Sequence, residues 1–339
     1  STRYSFLPWL GFSSDLGLLV GGGVLQTTYD PASDPWRRRV SLRAGYATSP
    51  ASFGVELTGE YHIPGSAMTL RVEAKASGLE ILRYYGYGNE TPRTEDKNFY
   101  RSDQQHLIFA PTLVIPMSSQ ITAEIGPIVK MVTTGLGENL LSIEQPYGVT
   151  ENGFGHAGVH AGLRFDSRDS PRAPSRGIHL RFATTAYPAV IDAEEAFGSV
   201  EGSASGAWTP LRPLTLAARV SGRTTWGRYP AHEAAYVGGS RTVRSLSSQR
   251  FAGDAAVWTN FDARLRLASL PFVMRWDFGV LGIADAGRVF LEGESSRKWH
   301  NGFGGGLWMA LPDRSFVVLA DVVTGGDGTR FWAGTSFIF

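Results

Sequence analysis

The chain has 339 residues, a formal net charge of +1 and no cysteine. The balanced charge argues against a nucleic-acid-binding protein, which normally carries a basic excess, and the lack of cysteine excludes disulfides and thiolate metal sites. With 42% hydrophobic residues, the chain can bury a large core and is not expected to be disordered.

No segment has the composition of a membrane-spanning helix. The longest uncharged run, 107–123, contains Pro111, Pro116 and three adjacent polar residues, whereas such a helix needs about 20 mostly apolar residues. The first ten residues, STRYSFLPWL, lack the basic and apolar regions of a signal peptide. A soluble β protein and a transmembrane barrel remain as the two candidates.

Apolar and polar residues alternate along much of the chain. The runs 40–46, 53–61, 68–76 and 257–267 each place apolar residues at every second position, with polar or charged residues between them. Successive side chains of a strand point to opposite faces, so each run predicts a strand with one apolar and one polar face. No run of helical length has a period of 3.6 residues.

Sixteen segments are predicted as strands, many of them longer than is usual in soluble proteins. They lie near 3–10, 15–28, 37–48, 52–62, 67–83, 99–115, 120–134, 153–166, 177–188, 196–208, 213–226, 254–268, 272–286, 301–311, 314–323 and 330–339. A soluble β-sandwich also alternates, but its strands average about 5–6 residues, whereas a tilted strand needs about 9–11 to cross a bilayer. The sequence therefore predicts an all-β protein, a transmembrane antiparallel up-and-down barrel of about 16 strands in a single domain, 1–339.

Short and long connections alternate between these strands. The short turns lie near 63–66, 116–119, 210–213, 269–271 and 311–313, and the longer connections near 84–98, 135–151, 227–253, 287–300 and 324–329. Outer-membrane barrels have short periplasmic turns and longer external loops, so both ends of this chain are expected on the periplasmic side. The last strand ends in an aromatic residue, Phe339, which is expected in the interfacial aromatic girdle.

The longest connection carries a recognisable motif, Gly238-Gly239 followed by Val243-Arg244-Ser245-Leu246. It resembles the sixth external loop of the BamA/TamA superfamily, the surface-antigen barrels that insert or translocate proteins across the outer membrane of Gram-negative bacteria. The motif of that superfamily is Val-Arg-Gly followed by Phe or Tyr. Ser245 and Leu246 depart from it at the last two positions.

Two further segments resemble the same superfamily. The run from Asp166 to Gly177, with Arg168, Asp169 and Pro174, resembles its Asp-x-Arg-Asp…Pro-x-x-Gly turn on the periplasmic side. The run 285–287, Asp-Ala-Gly, resembles its thirteenth strand, and 302–307 and the terminal Phe follow it. The resemblance covers essentially the whole chain. It implies a location in the bacterial outer membrane, surrounded by its lipids and lipopolysaccharide.

The resemblance also implies that the loop 227–253 folds into the lumen. A loop of this length exceeds a simple hairpin connection, and Gly238 and Gly239 permit the turn that redirects it. Arg244 would then be enclosed and would need carboxylates with matching geometry. By superfamily position, its partners are expected to be Asp262 and Asp285. The alternative is that Arg244 is a solvated cation on an exposed loop.

The predicted function is non-covalent protein insertion or translocation, in which a weak seam between the first and last strands opens to a client strand. Pro8 weakens the first strand because it cannot donate a ladder hydrogen bond, and Phe337 and Phe339 provide the C-terminal signal. The alternative is a passive pore or a membrane anchor for a separate partner protein. Superfamily members that insert proteins carry POTRA domains before the barrel. This chain contains none, so they either precede it or are supplied by partner chains.

No enzymatic chemistry is expected. The sequence has no Gly-x-Ser-x-Gly motif, and its seven histidines show no HExxH spacing. His156 and His160 are too far apart on a strand to share a metal ion. No metal and no cofactor are therefore expected. The expected partners are outer-membrane lipids, periplasmic or outer-membrane partner proteins, and client β-barrel or secreted proteins, with no nucleic acid.

Overall fold

The structure is a computed structural model that describes residues 1–6, 8–13, 17–30, 33–49, 51–272, 274–337 and 339. In this part of the chain, sixteen strands form one antiparallel sheet in which each strand pairs with the next along the chain. The first strand, β1, has two halves, Thr2–Phe6 and Trp9–Ser13, which both pair with β2. The others are β2 (Gly17–Asp30), β3 (Ser33–Ala47), β4 (Ser52–His62), β5 (Thr69–Arg83), β6 (Arg101–Pro116), β7 (Ile121–Thr134), β8 (Phe154–Asp166), β9 (Gly177–Tyr187), β10 (Phe197–Leu211), β11 (Leu214–Gly227), β12 (Ala255–Phe272), β13 (Met274–Phe290), β14 (His300–Ala310), β15 (Val317–Gly325) and β16 (Gly328–Gly334).

The distribution of apolar side chains is the reverse of that in a water-soluble protein. On β12, Phe261 is 41% exposed and its neighbour Asp262 is 1% exposed. Phe303 and Leu307 on β14 are likewise among the most exposed side chains, at 61% and 68%. An apolar outer face and a polar interior are what a lipid-facing barrel requires. The predicted transmembrane β-barrel is confirmed.

Of the longer connections predicted, 84–98, 135–151, 227–253 and 287–300 correspond to external loops. The one predicted at 324–329 is wrong, because only 326–327 separate β15 from β16. Four of the external connections are 84–100, 135–153, 228–254 and 291–299, which we call loops 3, 4, 6 and 7 from their order among the external connections. Loop 4 contains a short helix, α1 (Leu140–Glu144). Within the described ranges, no helix is long and apolar enough to cross a membrane.

Three further details of the prediction need correction or fall outside the description. The turn predicted at 269–271 is wrong, because β12 and β13 remain paired as far as Phe272 and Met274. The strand predicted for 330–339 ends at Gly334, and the chain then turns inward. The start predicted for the second strand, at 15, lies outside the described residues.

Candidate functional site

Loop 6 enters the barrel and has its own local structure there. It begins with a 3-10 turn (Ala231–Glu233) and continues as a two-stranded pair, Ala235–Val237 with Phe251–Gly253. Its apolar side chains form a cluster with the barrel wall whose members are all at most 4% exposed. The cluster consists of Ala235, Val237, Val243, Leu246, Phe251, Ala256 and Val289. Burial of this surface holds the loop inside the lumen.

Gly238 marks the point where the loop reverses its direction. Its φ is +126°, a backbone conformation that favours glycine. A Cβ at this position would lie 2.1 Å from the main-chain oxygen of Ser247 on the returning segment. The next residue, Gly239, has a φ of +102°. Both glycines of the motif are therefore required by the geometry of the turn.

Arg244 is enclosed between Asp285 and Asp262 on the lumen faces of β13 and β12. Its Nε lies 2.8 Å from Asp285 Oδ2, and its Nη2 lies 2.7 Å from Asp285 Oδ1 and 2.9 Å from Asp262 Oδ1. Its main-chain N–H also donates to Asp285 Oδ2, at 2.9 Å. The side chains of these three residues are at most 4% exposed. This is a charge-assisted fork rather than a solvated loop cation.

Asp285 and Asp262 stabilise the charged form of Arg244. Burial by itself would lower the pKa of the guanidinium, but the hydrogen bonds and charges of Asp285 and Asp262 outweigh it and raise that pKa above its usual value. Asn260 supports the arrangement, because its Nδ2 donates to Asp285 Oδ1 at 2.8 Å and to the main-chain oxygen of Thr242 at 2.6 Å. The site thus joins two wall strands to the loop through a connected polar network.

The neighbours of Arg244 in the motif are also buried. Val243 and Leu246 belong to the apolar cluster. Ser245 is 0% exposed, and its hydroxyl donates to the main-chain oxygen of Asn301 at 3.0 Å. A Cβ on Gly302 of β14 would lie 2.6 Å from Ser245 Oγ. The serine that departs from the superfamily motif therefore occupies the space left by a glycine of the wall.

The tip of loop 6 is bonded to the last strand of the barrel. Trp332 Nε1 donates to the main-chain oxygen of Arg244 at 2.9 Å, and Arg330 Nη2 donates to Ser247 Oγ at 2.6 Å. Asp327, in the turn before β16, accepts bonds from Ser247 and from Arg250 Nε at 3.0 and 3.2 Å. The loop thus contacts the strand that forms one side of the predicted seam.

The turn 167–176 lies at the opposite end of the lumen. Asp166 pairs with Arg168 at 2.7 Å, and Asp169 accepts bonds from Ser175 and from Arg314 at 2.6 and 2.5 Å. The other two residues of the motif are Pro174 and Gly177. Pro174 accepts a bond from Arg264 Nη1 at 3.2 Å, and Gly177 begins β9.

The C-terminal segment lies in the lumen between this turn and loop 6. Phe337 and Phe339 are 7% exposed, and the ring of Phe339 is buried against Ala207 and Ala217 on the lumen faces of β10 and β11. The guanidinium of Arg264 lies 3.9 Å from the ring centroid of Phe337, as in a cation–π contact. The expectation that Phe339 joins the aromatic girdle is wrong, because the interior offers its ring small side chains and cationic partners.

Pro8 lies between the two halves of β1, and its side chain is exposed. The ladder with β2 includes Phe6 on one side of it and Trp9 on the other. At the other side of the predicted seam, β16 has seven residues. β16 is thus shorter than central strands such as β12, which has 18 residues, and β1 is interrupted.

Loop 3 lies over loop 6 on the external side. Gly88 N donates to the main-chain oxygen of Ala252 at 2.8 Å. Asn89 is 0% exposed and accepts a bond from Val289 N at 3.0 Å. Its amide nitrogen donates to Ser296 Oγ and to the main-chain oxygen of Lys298, both in loop 7. Loops 3 and 7 therefore cover the lumen loop.

Several residues of the site were not singled out from the sequence. Asn260 and Arg264 share the lumen face of β12 with Asp262, so the period of two could have identified them. Trp332 and Asp327 gave no comparable signal, because their partners are on a loop some 80 residues away in sequence.

Three solved structures resemble this chain in fold. The crystal structure of BamA from Haemophilus ducreyi lacking POTRA domains 1-3 superposes with a TM-score of 0.73 at 13% identity and covers 99% of this chain. CdiB from Escherichia coli has a TM-score of 0.60 at 11% identity, and CdiB from Acinetobacter baumannii 0.55 at 12% identity; they cover 98% and 99% of this chain. The chain has the fold of these barrels.

The similarity extends over only part of each of these structures and is not found by sequence comparison. The chain spans 70% of the BamA structure and 61% and 60% of the two CdiB chains. No protein-family model matches the sequence, and no curated protein does. BamA and CdiB are barrels of the bacterial outer membrane, so the fold agrees with the location predicted from the sequence.

Proposed function

We propose that this chain is an outer-membrane barrel that inserts or secretes other proteins, acting without covalent chemistry. The observation that carries the proposal is the connection of the lumen loop to the last strand, through Trp332 and Arg244. A rearrangement of either element is transmitted to the other through this contact. The clients are β-barrel or secreted proteins, and no catalytic residue or cofactor takes part.

The seam between β1 and β16 is the element that opens. A strand of seven residues next to a strand interrupted at Pro8 can form few ladder bonds. Each backbone hydrogen bond stabilises the closed state by only about 0.5–1.5 kcal/mol. Once open, the seam offers unpaired backbone groups with which a client strand can pair.

The alternative functions, a passive pore and an anchor for a separate protein, account less well for the interior. A pore needs an open lumen, whereas here loop 6 and the C-terminal segment both occupy it. An anchor does not require a buried arginine between two acids. The observations therefore favour a barrel whose lumen loop is held in place and can be released.

A crosslink across the seam tests the proposal. The purified chain is reconstituted into liposomes, and a urea-denatured eight-stranded outer-membrane protein is added as the probe. A cysteine at Phe331 of β16 is combined in turn with each position of Trp9–Ser13, and the pair that oxidises most completely is used. We expect the chain to accelerate folding of the probe, and we expect oxidation to abolish this effect and a reductant to restore it.

The matched control places the same cysteine in the neighbouring ladder. Phe331 pairs with Val322 of β15, so the double variant Val322→Cys, Phe331→Cys forms a crosslink that leaves the seam free. It should retain the acceleration after oxidation. A large, steady, ohmic conductance that the seam crosslink leaves unchanged, together with no acceleration, would establish the pore instead.

A further inference from the structure

Three side chains with metal-binding groups meet where loop 6 enters the lumen. They are His156 on β8 and His232 and Glu233 in the 3-10 turn of the loop. One ligand atom from each lies within 4.8 Å of the others. His156 and His232 are 76 positions apart in the sequence, so no local spacing motif links them.

Neither imidazole has a hydrogen-bond partner in the part of the chain that the structure describes. His156 is 0% exposed, and neither nitrogen of either ring is bonded among the described residues. Buried polar groups in folded proteins are almost always satisfied by protein, ordered water or an ion. An ion bound between the two rings would satisfy one nitrogen of each.

The spacing of the groups fits one transition-metal ion. At Zn–N distances of about 2.0–2.1 Å in tetrahedral geometry, two imidazole centroids lie about 5 Å apart and adjacent ligand atoms about 3.4 Å apart. The centroids of His156 and His232 are 5.4 Å apart, and His156 Nε2 lies 3.7 Å from Glu233 Oε1. The nearby His106 is bonded through Nε2 to Gln104, at 3.1 Å, and is not counted as a ligand.

The protonation of these groups suits coordination. Burial lowers the pKa of His232 to about 3, so its ring is neutral at physiological pH. Burial opposes ionisation of Glu233, but the charges of Lys130 and Arg223 outweigh it and keep its pKa well below the usual value. Neutral imidazoles and a carboxylate are the forms in which these groups bind metal ions.

Two cations already contact Glu233. Lys130 Nζ lies 2.6 Å from Oε1, and Arg223 Nη2 lies 3.0 Å from Oε2. An ion at this site has to displace Lys130 Nζ from Glu233 Oε1. The side chain of Lys130 is 21% exposed and can turn toward water. Arg223 can remain on Oε2. The affinity for the ion is therefore limited by competition with the ammonium group.

We propose that His156, His232 and Glu233 form a binding site for a divalent transition-metal ion of the zinc class. Imidazole ligands suit zinc and its first-row neighbours rather than magnesium or calcium. Because one ligand belongs to the wall and two belong to loop 6, the bound ion fastens the start of the loop to β8. This role is independent of what the barrel transports.

Zinc chloride is the probe for this site. The full chain, folded in detergent and stripped with a chelator, is titrated at a fixed neutral pH. We expect one equivalent to bind with a Kd below about 1 µM and to slow proteolysis of loop 6. His232→Gln, which alters the loop and not the wall, should weaken binding by roughly tenfold or more. Folding of each variant is checked by its heat-dependent gel mobility.

Two further variants make the test specific. His300→Gln changes another buried histidine, which stacks on Phe251 and is bonded to Asn89, and it should leave the Kd within about threefold. Lys130→Met removes the competing ammonium and should tighten binding, again by about threefold or more. The proposal is overturned by the absence of stoichiometric binding, by an unchanged Kd in His232→Gln, or by weaker binding in Lys130→Met.

Discussion

The indole N–H of Trp332 donates to the main-chain oxygen of Arg244 at 2.9 Å. Through this bond the last strand of the barrel contacts the residue whose side chain is held between Asp262 and Asp285. The lumen loop and the edge strand are therefore parts of one connected structure. Most of the predictions below test this connection and the elements around it.

Removal of the Arg244 guanidinium should release loop 6. Arg244→Ala leaves Asp262 and Asp285 buried without a counter-charge, and for a buried pair such a loss costs about 3–5 kcal/mol. The variant should unfold at lower urea concentration and be cleaved faster within loop 6. Arg241→Ala removes an exposed arginine of the same loop and should change neither property. Equal behaviour of the two variants would contradict the assigned role of Arg244.

The contact between Ser245 and Gly302 can be tested by a compensating pair. Gly302→Ala places a methyl group 2.6 Å from Ser245 Oγ, and such overpacking costs about 1–3 kcal/mol. Adding Ser245→Gly removes the clash and should recover most of the stability, apart from about 0.5–1.5 kcal/mol for the lost bond to Asn301. Urea unfolding of the single and double variants measures the coupling.

The control for this pair is Gly202→Ala on β10, where no atom lies within 4 Å of the added methyl group. It should be close to neutral. Additive effects of Gly302→Ala and Ser245→Gly would show that the two residues do not share this space.

The turn 167–176 should lose stability in acid. Burial alone would raise the pKa of the Asp169 carboxyl, but hydrogen bonds from Ser175, Arg314 and Arg176 N lower it to about 2 from its ordinary 3.8. Because the folded pKa is depressed, this contribution is complete above pH 3.8 and is lost as the pH falls through 2. The thermal unfolding midpoint should therefore fall more steeply below pH 4 in the wild type than in Asp169→Asn. Parallel curves would exclude this role of Asp169.

The orientation of the barrel can be read by cysteine labelling, since the chain has no cysteine of its own. Glu138 in loop 4 and Arg176 in the turn 167–176 are both exposed. In intact cells, an impermeant maleimide should label Glu138→Cys and not Arg176→Cys, and both should react after the outer membrane is permeabilised. Labelling of Arg176→Cys in intact cells would show that the barrel has the opposite orientation.

The strands could be predicted from the sequence because alternation is a local property. A side chain on β12 faces lipid or lumen according to its position alone, so Phe261 and Asp262 are distinguishable without tertiary information. The pairing of Arg244 with Asp262 and Asp285 came instead from a family resemblance. It depends on how far a long loop reaches, which no local pattern encodes.

The features that could not be predicted depend on contacts between distant segments. Phe337 and Phe339 turn inward onto Arg264, which lies more than 70 positions earlier, and the ring of Phe339 packs on the small side chains of Ala207 and Ala217. A terminal aromatic residue suits a membrane interface equally well. The proximity of His156 and His232 arises in the same way, from the entry path of loop 6.

The cover formed by loop 3 implies an order of folding events. Asn89 and Gly88 bond to Val289 and Ala252, which are 200 and 164 positions later in the sequence. Ala252 reaches its position only after loop 6 has entered the lumen, so loop 3 cannot form its contacts before then. Contacts of such sequence separation form slowly. The external cover is therefore expected to be the last part of the barrel to acquire protection from hydrogen exchange, well after the wall strands have paired.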